Sequence, residues 1–248
     1  MSKAYIFFLG GNEEYDVDNI LYRKMMELAG GEDSRVAIIP TAASHPDSTA
    51  GFFRKFFHKF ASEVDVAWIL DRRDAERERY VRYIEDATCI FFTGGDQERI
   101  IDTIRDTRVH RILLDRLDDE VVIGGTSAGA MALTEICIID TRNIGLEEGD
   151  IEWRYGLDLV RGVIVDTHFI ERNRIWRLSH MVLRFPDCIG IGISEDTGVV
   201  YDMGRREFEV IGSGYVALLE PPSYITVSYT HLRAHETEAD LVCRLLLE

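Results

Sequence analysis

Short apolar segments alternate with longer polar stretches over the first half of the chain. The apolar segments are rich in β-branched and aromatic residues, and each ends at Gly, Pro, Thr or a polar turn. They are Tyr5–Leu9, Val36–Ile39, Val64–Leu70, Cys89–Phe92 and Val121–Ile123. Segments that are apolar at nearly every position are typical of strands that are buried on both faces. We therefore predict a series of buried strands.

The stretches between these strands carry apolar residues at helical spacing. They are Ile20–Leu28, Phe52–Ala61, Ala75–Ile84 and Ile100–Leu117. Strands that alternate with helices predict a doubly wound α/β fold, in which a mostly parallel sheet carries helices on both faces.

After Gly156 the predicted strands become shorter and more closely spaced. They are Val163–Phe169, Ile189–Ser194, Val199–Tyr201, Phe208–Ile211 and Tyr215–Leu219. This spacing favours antiparallel additions in the C-terminal third, because a parallel connection needs a longer crossover. No internal repeat or low-complexity linker occurs, so we predict one catalytic α/β domain over residues 1–226.

The end of the chain has a different character. The segments Val227–Thr237 and Asp240–Glu248 resemble sequencing-library adapter DNA translated in frame, with Glu238 and Ala239 between them. A segment of this kind is excluded from fold reasoning. The expectation is that residues 227–248 are a non-native tail, so we assign no function to His231 or His235.

Four predicted strands end in unusual polar or glycine-rich segments. In a doubly wound sheet, ligands bind outside the carboxyl ends of the strands. We therefore expect the functional site where these segments meet. They are Gly10–Glu13, Pro40–Ser44, Thr93–Gln97 and Gly124–Gly129.

Charge and cysteine content exclude several classes of function. The formal net charge is −16, which argues against a nucleic-acid partner because phosphate binding needs clustered Lys and Arg. The cysteines before the tail form no Cys-x-x-Cys pair, so neither a disulfide framework nor a zinc site is indicated. The first apolar run is too short to span a membrane, and no basic leader precedes it. We expect a cytoplasmic protein without a membrane partner.

Ser127 is the candidate nucleophile. It lies between a buried strand and a helix predicted to begin near Ala128, with Gly125 and Gly129 on either side. A serine on a sharp strand-to-helix turn needs small neighbours, so that strand and helix approach closely and its hydroxyl stays exposed. A tight packing turn without catalysis is the alternative explanation of the same residues.

A nucleophilic serine needs a base and an acid that orients the base. His168 closes a predicted strand at the expected active edge, so it is the best base. The remaining histidines outside the tail suit the role less well. His45 lies in a loop before a proline, His58 and His110 lie in polar helical stretches and are expected to be solvated, and His180 lies in a helical run.

Three carboxylates are candidates for the acid. Asp166 lies two residues before His168 and would share its face on a strand, although it could equally bind substrate. Glu195 and Asp196 follow the apolar run CIGIGIS, again at a strand end. The alternative for Glu195 is a capping role in the turn that follows.

Several motifs together resemble one family. The segments GGTSAGAMAL, FFTGGDQERI, VDTHFIERNRIWRL and GIGISEDTGVVY are similar to the cyanophycinase branch of the S51 serine peptidases, and GGNEE and IPTAAS fit the same family. The resemblance covers essentially all of residues 4–220. It implies a class I glutamine amidotransferase-like scaffold and a homodimer.

The resemblance also implies the site. Its Ser–His–Glu triad corresponds to Ser127, His168 and Glu195, and its backbone oxyanion donors correspond to Gly95 and Ala128. This order of residues differs from the Ser, acid, His order of α/β-hydrolase esterases. An esterase would also need a histidine near the C-terminus, and outside the tail the sequence offers none after His180.

The resemblance further implies a peptide substrate rich in Asp and Arg. Cyanophycinases release β-aspartyl-arginine dipeptides from an aspartate backbone that carries arginines. The residues of this chain that correspond to the family's substrate pocket are Asp96, Gln97, Asp166, Thr167, Arg172, Arg174 and Arg177. Carboxylates and amides can hold a guanidinium group, and arginine forks can hold carboxylates.

The chain departs from the family at Thr167, where the usual Asp-Gln-His reads Asp166-Thr167-His168. The missing amide leaves the exact substrate open. The acidic segment Asp140–Tyr155 either extends the pocket or is solvated.

The sequence thus predicts a serine peptidase of cyanophycinase type with no metal and no cofactor. Two alternatives remain open. One is an aspartyl dipeptidase or another hydrolase of small acidic peptides. The other is a catalytically silent binding or sensor protein on the same scaffold.

Overall fold

The structure is a computed structural model that describes residues 3–16, 18–141, 151–220, 229–233 and 245–246. Its strands are β1 Tyr5–Leu9, β2 Arg35–Ile39, β3 Glu63–Val66, β4 Cys89–Phe92, β5 Val122–Thr126, β6 Ile136–Thr141, β7 Ile151–Tyr155, β8 Val163–Thr167, β9 Ile189–Ile193, β10 Thr197–Asp202, β11 Glu207–Gly212, β12 Tyr215–Leu219, β13 Tyr229–Arg233 and β14 Leu245–Leu246. Its α-helices are α1 Ile20–Leu28, α2 Pro46–Phe57, α3 Glu78–Asp86, α4 Gln97–Ile104, α5 Arg108–Asp115, α6 Ala128–Met131 and α7 Ile175–Arg184.

A mixed sheet forms the centre of the molecule. Its strand order in the described residues is β14-β11-β10-β1-β5-β4-β2-β3. The strands from β1 to β3 in this order are parallel, whereas β10 and β11 add to the β1 edge in antiparallel pairs. The predicted α/β class, with a mostly parallel sheet and antiparallel additions, is confirmed.

Helices cover both faces of this sheet. Along β1, Ile6 and Phe8 pack with α3, α4, α5 and α6, whereas Phe7 and Leu9 pack with α1 and α2. Successive side chains of a strand point to opposite faces, so a strand covered on both sides must be apolar at every position. This requirement explains the continuous apolar runs of the sequence.

The last third of the chain forms a second sheet, whose strand order in the described residues is β13-β12-β9-β8. Here β8 and β9 pair in parallel, and β12 pairs antiparallel to β9. The parallel pair is made possible by the crossover helix α7 between the two strands. The backbone of β13 pairs with β12, and whether residues 227–248 are foreign stays a prediction.

Several predicted boundaries were wrong. The helix predicted over Ile100–Leu117 is broken into α4 and α5, because Asp106 adopts a φ of 62° and Thr107 caps the new helix with its side chain. Strand β3 ends at Val66, earlier than predicted. The helix predicted from Ala75 begins at Glu78, after a short 3-10 turn.

The sequence pattern also missed a β-hairpin. Strands β6 and β7 pair antiparallel. The acidic segment Asp140–Tyr155 begins in β6 and ends in β7. Residues 142–150, which include Glu147, Glu148 and Asp150, lie outside the described part of the chain. No described helix has both the length and the apolar character that crossing a bilayer requires.

Candidate active site

Ser127 occupies a strained turn between β5 and α6. Its φ of 53° and ψ of −117° lie outside the regions that L-residues favour. The turn is tight because a Cβ on Gly125 would collide with the backbone of Gly129, and a Cβ on Gly129 would collide with the carbonyl oxygen of Phe92. The two glycines therefore let the strand and the helix approach, and Ser127 stays partly exposed.

His168 lies immediately after β8 and points at Ser127. Its Nε2 is 2.9 Å from the Oγ of Ser127, which is hydrogen-bond distance. The strand ends one residue earlier, at Thr167, and His168 itself has a φ of 47°. This left-handed residue turns the chain, so His168 leaves the line of the strand and its side chain faces the nucleophile.

Glu195 lies just beyond the end of β9 and forms a hydrogen bond with the second ring nitrogen of His168, Nδ1. Its Oε1 is 2.7 Å from His168 Nδ1. Its Oε2 accepts a hydrogen bond of 2.9 Å from Nδ2 of Asn12. Of the three acids that the sequence left open, Glu195 is the one whose carboxylate reaches His168.

The surroundings shift the pKa of both titratable groups. The pKa of His168 is lowered, chiefly because burial disfavours the charged ring, and the nearby cations Arg172 and Arg174 act in the same direction. Hydrogen bonding to Glu195 opposes this shift. The pKa of Glu195 is lowered, first by its hydrogen bond to His168. A neutral imidazole beside an ionised carboxylate is the arrangement that a general base needs.

Of the two predicted oxyanion donors, Ala128 directly follows Ser127 and is the first residue of α6. Gly95 follows Gly94, where an added Cβ would lie 3.5 Å from the Cβ of Ser127. Among the described residues, neither the Gly95 nor the Ala128 N–H donates a hydrogen bond. Because α6 spans only Ala128–Met131, these local N–H groups matter more here than a helix dipole.

The predicted substrate ligand Asp166 is already occupied by arginines of this chain. Its side chain is fully buried, and its oxygens bind Nε of Arg177 at 2.5 Å, the Arg177 Nη2, and Nη1 of Arg174 at 3.1 Å. Direct contact with substrate stays a prediction for Asp166 and Arg177, whose charged groups bind each other in this structure. Asp166 and His168 do not share a strand face, because β8 ends at Thr167 and the chain turns at His168.

The other predicted pocket residues have different surroundings. Thr167 is buried with its hydroxyl against the sulfur of Met131, and its contact with substrate stays a prediction. Arg172 is exposed near His168 and Glu195. Arg174 is partly buried, and burial lowers its pKa to about 10.

Asp96 and Gln97 mark the start of α4. The exposed Asp96 accepts a hydrogen bond of 2.9 Å from the N–H of Glu98 and so caps the helix. The Nε2 of Gln97 donates to the carbonyl oxygens of Ile138 and Ile139 at 2.9 and 2.7 Å. The amide of Gln97 therefore ties the hairpin to α4.

One histidine differs from its prediction. His110, expected to be solvated, is buried, and its Nε2 lies 2.7 Å from the carbonyl oxygen of Leu157. It stabilises the packing of α5 and takes no part in the site. In the described part of the chain, no group of three His, Cys, Asp or Glu side chains could hold a metal ion.

Sequence reasoning missed Asn12 and Glu13 as members of the site. Both belong to the segment after β1 that was expected at the active edge, but no role was assigned to either side chain. The signal that could have found Glu13 is a carboxylate in the short glycine-containing turn after an apolar strand, where burial demands partners.

Comparisons with known proteins show the family of this chain. The profile of Peptidase family S51 matches residues 6–207. A cyanophycinase of Geminocystis herdmanii is 33% identical over 92% of this chain and 84% of its own length. A cyanophycinase of Synechococcus elongatus is 31% identical over 94% of this chain and 73% of its own length.

The fold also has a counterpart among solved structures. The crystal structure of a peptidase from an acI-B1 Actinobacterium matches with a TM-score of 0.74 and 22% sequence identity. The match covers 95% of this chain and 96% of that one. At this identity the likeness concerns the fold.

Proposed function

The chain belongs to peptidase family S51 and is a serine-type peptidase, and we propose that it acts through a triad of Ser127, His168 and Glu195. The observation that carries the proposal is the unbroken hydrogen-bonded series of hydroxyl, imidazole and carboxylate. It begins at a serine held in a strained, partly exposed turn. Strain of this kind persists where the surrounding structure enforces it, and such sites are often functional.

In the first step, Ser127 Oγ attacks the scissile carbonyl carbon while His168 Nε2 takes the hydroxyl proton. Glu195 fixes the ring through Nδ1 and stabilises the imidazolium that forms. The tetrahedral intermediate then collapses, the C–N bond breaks, and His168 gives its proton to the leaving amine. Water repeats the sequence on the acyl-enzyme and releases the acid product.

The negative charge that develops on the carbonyl oxygen needs donors. The N–H groups of Gly95 and Ala128 donate no hydrogen bond among the described residues, and Ala128 directly follows Ser127, so they suit this role. Donors that are already in place cost no reorganisation when the charge forms.

We propose a cyanophycin-type substrate, with aspartate in the main chain and arginine on its side chains. The relatives named cyanophycinase support this choice. The site supports it too, because the buried carboxylate of Asp166 faces both Arg174 and Arg177. One negative charge against two positive charges leaves an excess that a substrate carboxylate would balance. The exposed Arg172 adds a further cation, and Asp96 offers a carboxylate for a substrate guanidinium.

A hydrolase of small aspartyl or other acidic peptides is the second candidate. It is favoured by Thr167, which stands where the resembling family carries glutamine and directs its hydroxyl into the interior. The loss of that amide removes a polar group beside the base. The alternative of a catalytically silent binding protein is disfavoured by the hydrogen bond between Ser127 and His168.

The test is release of soluble dipeptide from cyanophycin by the wild type and by Ser127→Ala, each shown to be folded by circular dichroism. Release by the wild type alone supports both the reaction and the nucleophile. Equal release by both proteins contradicts the triad.

If a folded wild type releases nothing, a serine-directed phosphonate probe separates the remaining cases. Labelling of Ser127 then moves the substrate to small acidic peptides. A failure of the probe to label Ser127 favours the silent protein.

A further inference from the structure

The end of β1 contacts each segment that carries a member of the proposed triad. The carbonyl oxygen of Leu9 accepts a hydrogen bond of 3.0 Å from the N–H of Ser127, and that of Gly10 accepts one of 2.9 Å from the N–H of His168. The carbonyl oxygen of Gly11 accepts one of 3.1 Å from Asp196, the neighbour of Glu195. Three consecutive carbonyls therefore bind three segments that are far apart in the sequence.

The next side chains continue these contacts. Gly11 lies against the imidazole of His168, where a Cβ would collide with the ring. Asn12 has a φ of 53° and donates from Nδ2 to the Oε2 of Glu195. A shift of this turn would therefore move the base and its acid together.

Glu13 anchors the turn to the strand that carries the nucleophile. Its side chain is almost completely buried. Oε1 accepts a 2.8 Å hydrogen bond from the N–H of Gly11. The hydroxyl of Thr126, the residue before Ser127, donates to the same carboxylate, at 2.7 Å from Oε1 and 3.0 Å from Oε2. One carboxylate thus joins the turn beneath His168 to the residue that precedes the nucleophile.

We propose that Glu13 is a positioning residue that sets the distance between Ser127 and His168 by tying Gly11 to Thr126. The inference rests on the proposed triad and adds to it a residue that touches neither substrate nor the reacting atoms.

The surroundings of Glu13 argue against a role in packing alone. The hydroxyls of Tyr15 and Tyr22 lie 3.4 Å from Oε2, so hydrogen-bond donors face the carboxyl group from several sides. Burial nevertheless raises the pKa of Glu13. A buried carboxylate is costly even when hydrogen-bonded, and an apolar residue would pack there at lower cost. A carboxylate at this position is explained if its hydrogen bonds to Gly11 and Thr126 are needed to position the site.

Small displacements of catalytic groups have large effects on rate. A misplacement of about 1 Å can cost on the order of 100-fold. Without its tie to Thr126, the Gly11 turn keeps its backbone hydrogen bonds but loses the side-chain restraint on its distance from β5. We therefore expect slower chemistry in a protein that is still folded.

The experiment measures how fast a serine-directed phosphonate labels Ser127 in full-length wild type, Glu13→Ala, Glu13→Gln and Thr126→Val. This readout needs no knowledge of the natural substrate. We expect labelling to slow about 100-fold in Glu13→Ala. Glu13→Gln should recover most of the rate, to within about tenfold of wild type, because its amide oxygen can still accept from Gly11 and its amide NH2 can donate to the Thr126 hydroxyl. Thr126→Val keeps the shape of the side chain and cuts the same tie from the other end, so it should also slow labelling.

Two control variants separate positioning from general loosening. Tyr22→Phe removes a hydroxyl from the same buried pocket but leaves Gly11 and Thr126 bonded, so it should lower the melting temperature without a matching loss of labelling rate. Glu14→Gln changes the exposed neighbouring acid and should match the wild type in both measurements.

The outcomes differ for the two proposals. Folded Glu13→Ala that labels at the wild-type rate overturns the inference while the triad stands, and so does a Tyr22→Phe rate loss as large as that of Glu13→Ala. A wild type whose Ser127 is not labelled overturns the triad, and the inference with it.

Discussion

Gly11 lies directly against the imidazole ring of His168. A Cβ at this position would overlap Cε1 and Nε2 and would stand 3.1 Å from Nδ1, and the φ of 100° is one that L-residues rarely adopt. Glycine is thus required for two independent reasons, the close approach of the ring and the backbone conformation.

We expect Gly11→Ala to reduce turnover at least about 100-fold, because the ring must move away from Ser127 to make room. Hydrolysis rate and thermal unfolding measured together check this expectation. Gly51→Ala is the matched control, since a Cβ there meets nothing within 4 Å and alanine favours the helix. Wild-type turnover in Gly11→Ala would mean that the ring position is not critical.

The second prediction concerns the two contacts that hold the triad's acid and base. Glu195→Gln should lower turnover by about 10²- to 10⁴-fold, because the carboxylate that orients and stabilises the imidazolium is lost. Asn12→Ala removes only one hydrogen bond to Oε2 and should cost about tenfold or less. Steady-state kinetics on both variants would contradict this ranking if Asn12→Ala proved the more damaging change.

The third prediction concerns pH. Because burial lowers the pKa of His168 below its ordinary value, the neutral base is present at neutral pH and is lost as pH falls through the lowered pKa. The acid limb of kcat/KM should therefore have its midpoint below about 6.5.

Arg172→Gln should move this midpoint to higher pH, because the cation that disfavours the imidazolium is removed. Arg23→Gln, an exposed substitution in α1, is the control. A midpoint that stays in place in Arg172→Gln, measured at low ionic strength where such charges are least screened, would refute the electrostatic role of Arg172.

The fourth prediction concerns the buried charges of Asp166, Arg174 and Arg177. Asp166→Asn leaves two guanidinium groups without their carboxylate, so the free energy of unfolding should fall by about 3–5 kcal/mol. Denaturant titration checks it. Asp158→Asn breaks the surface pair with Arg161 and should change stability little, because solvent screens that pair. If Asp166→Asn lowered the free energy of unfolding as little as Asp158→Asn does, the buried carboxylate would not stabilise the fold.

Local sequence indicated much of the fold. Runs such as Cys89–Phe92 are apolar at every position, a pattern typical of a strand covered on both faces. The break between α4 and α5 was missed because it depends on one positive φ at Asp106 and on the capping side chain of Thr107. Both are single-residue features within an otherwise helical periodicity. The β6–β7 hairpin was missed because it depends on contacts with distant residues, such as the hydrogen bonds from Gln97 to the carbonyl oxygens of Ile138 and Ile139.

Within the site, the sequence alone determined which residue types were available and which strand ends carried them. Ser127, His168 and Glu195 each follow an apolar strand, and that placement is readable from the chain. The residues alone left the acid open between Asp166, Glu195 and Asp196, and only the resemblance to the S51 family pointed to Glu195. The structure adds the distance of 2.7 Å between Glu195 Oε1 and His168 Nδ1, whereas Asp166 binds Arg174 and Arg177. The roles of Asn12 and Glu13 depend on contacts with residues more than a hundred positions away. Hydrogen bonds of that kind are set by the packing of whole elements, and no local pattern in the sequence records them.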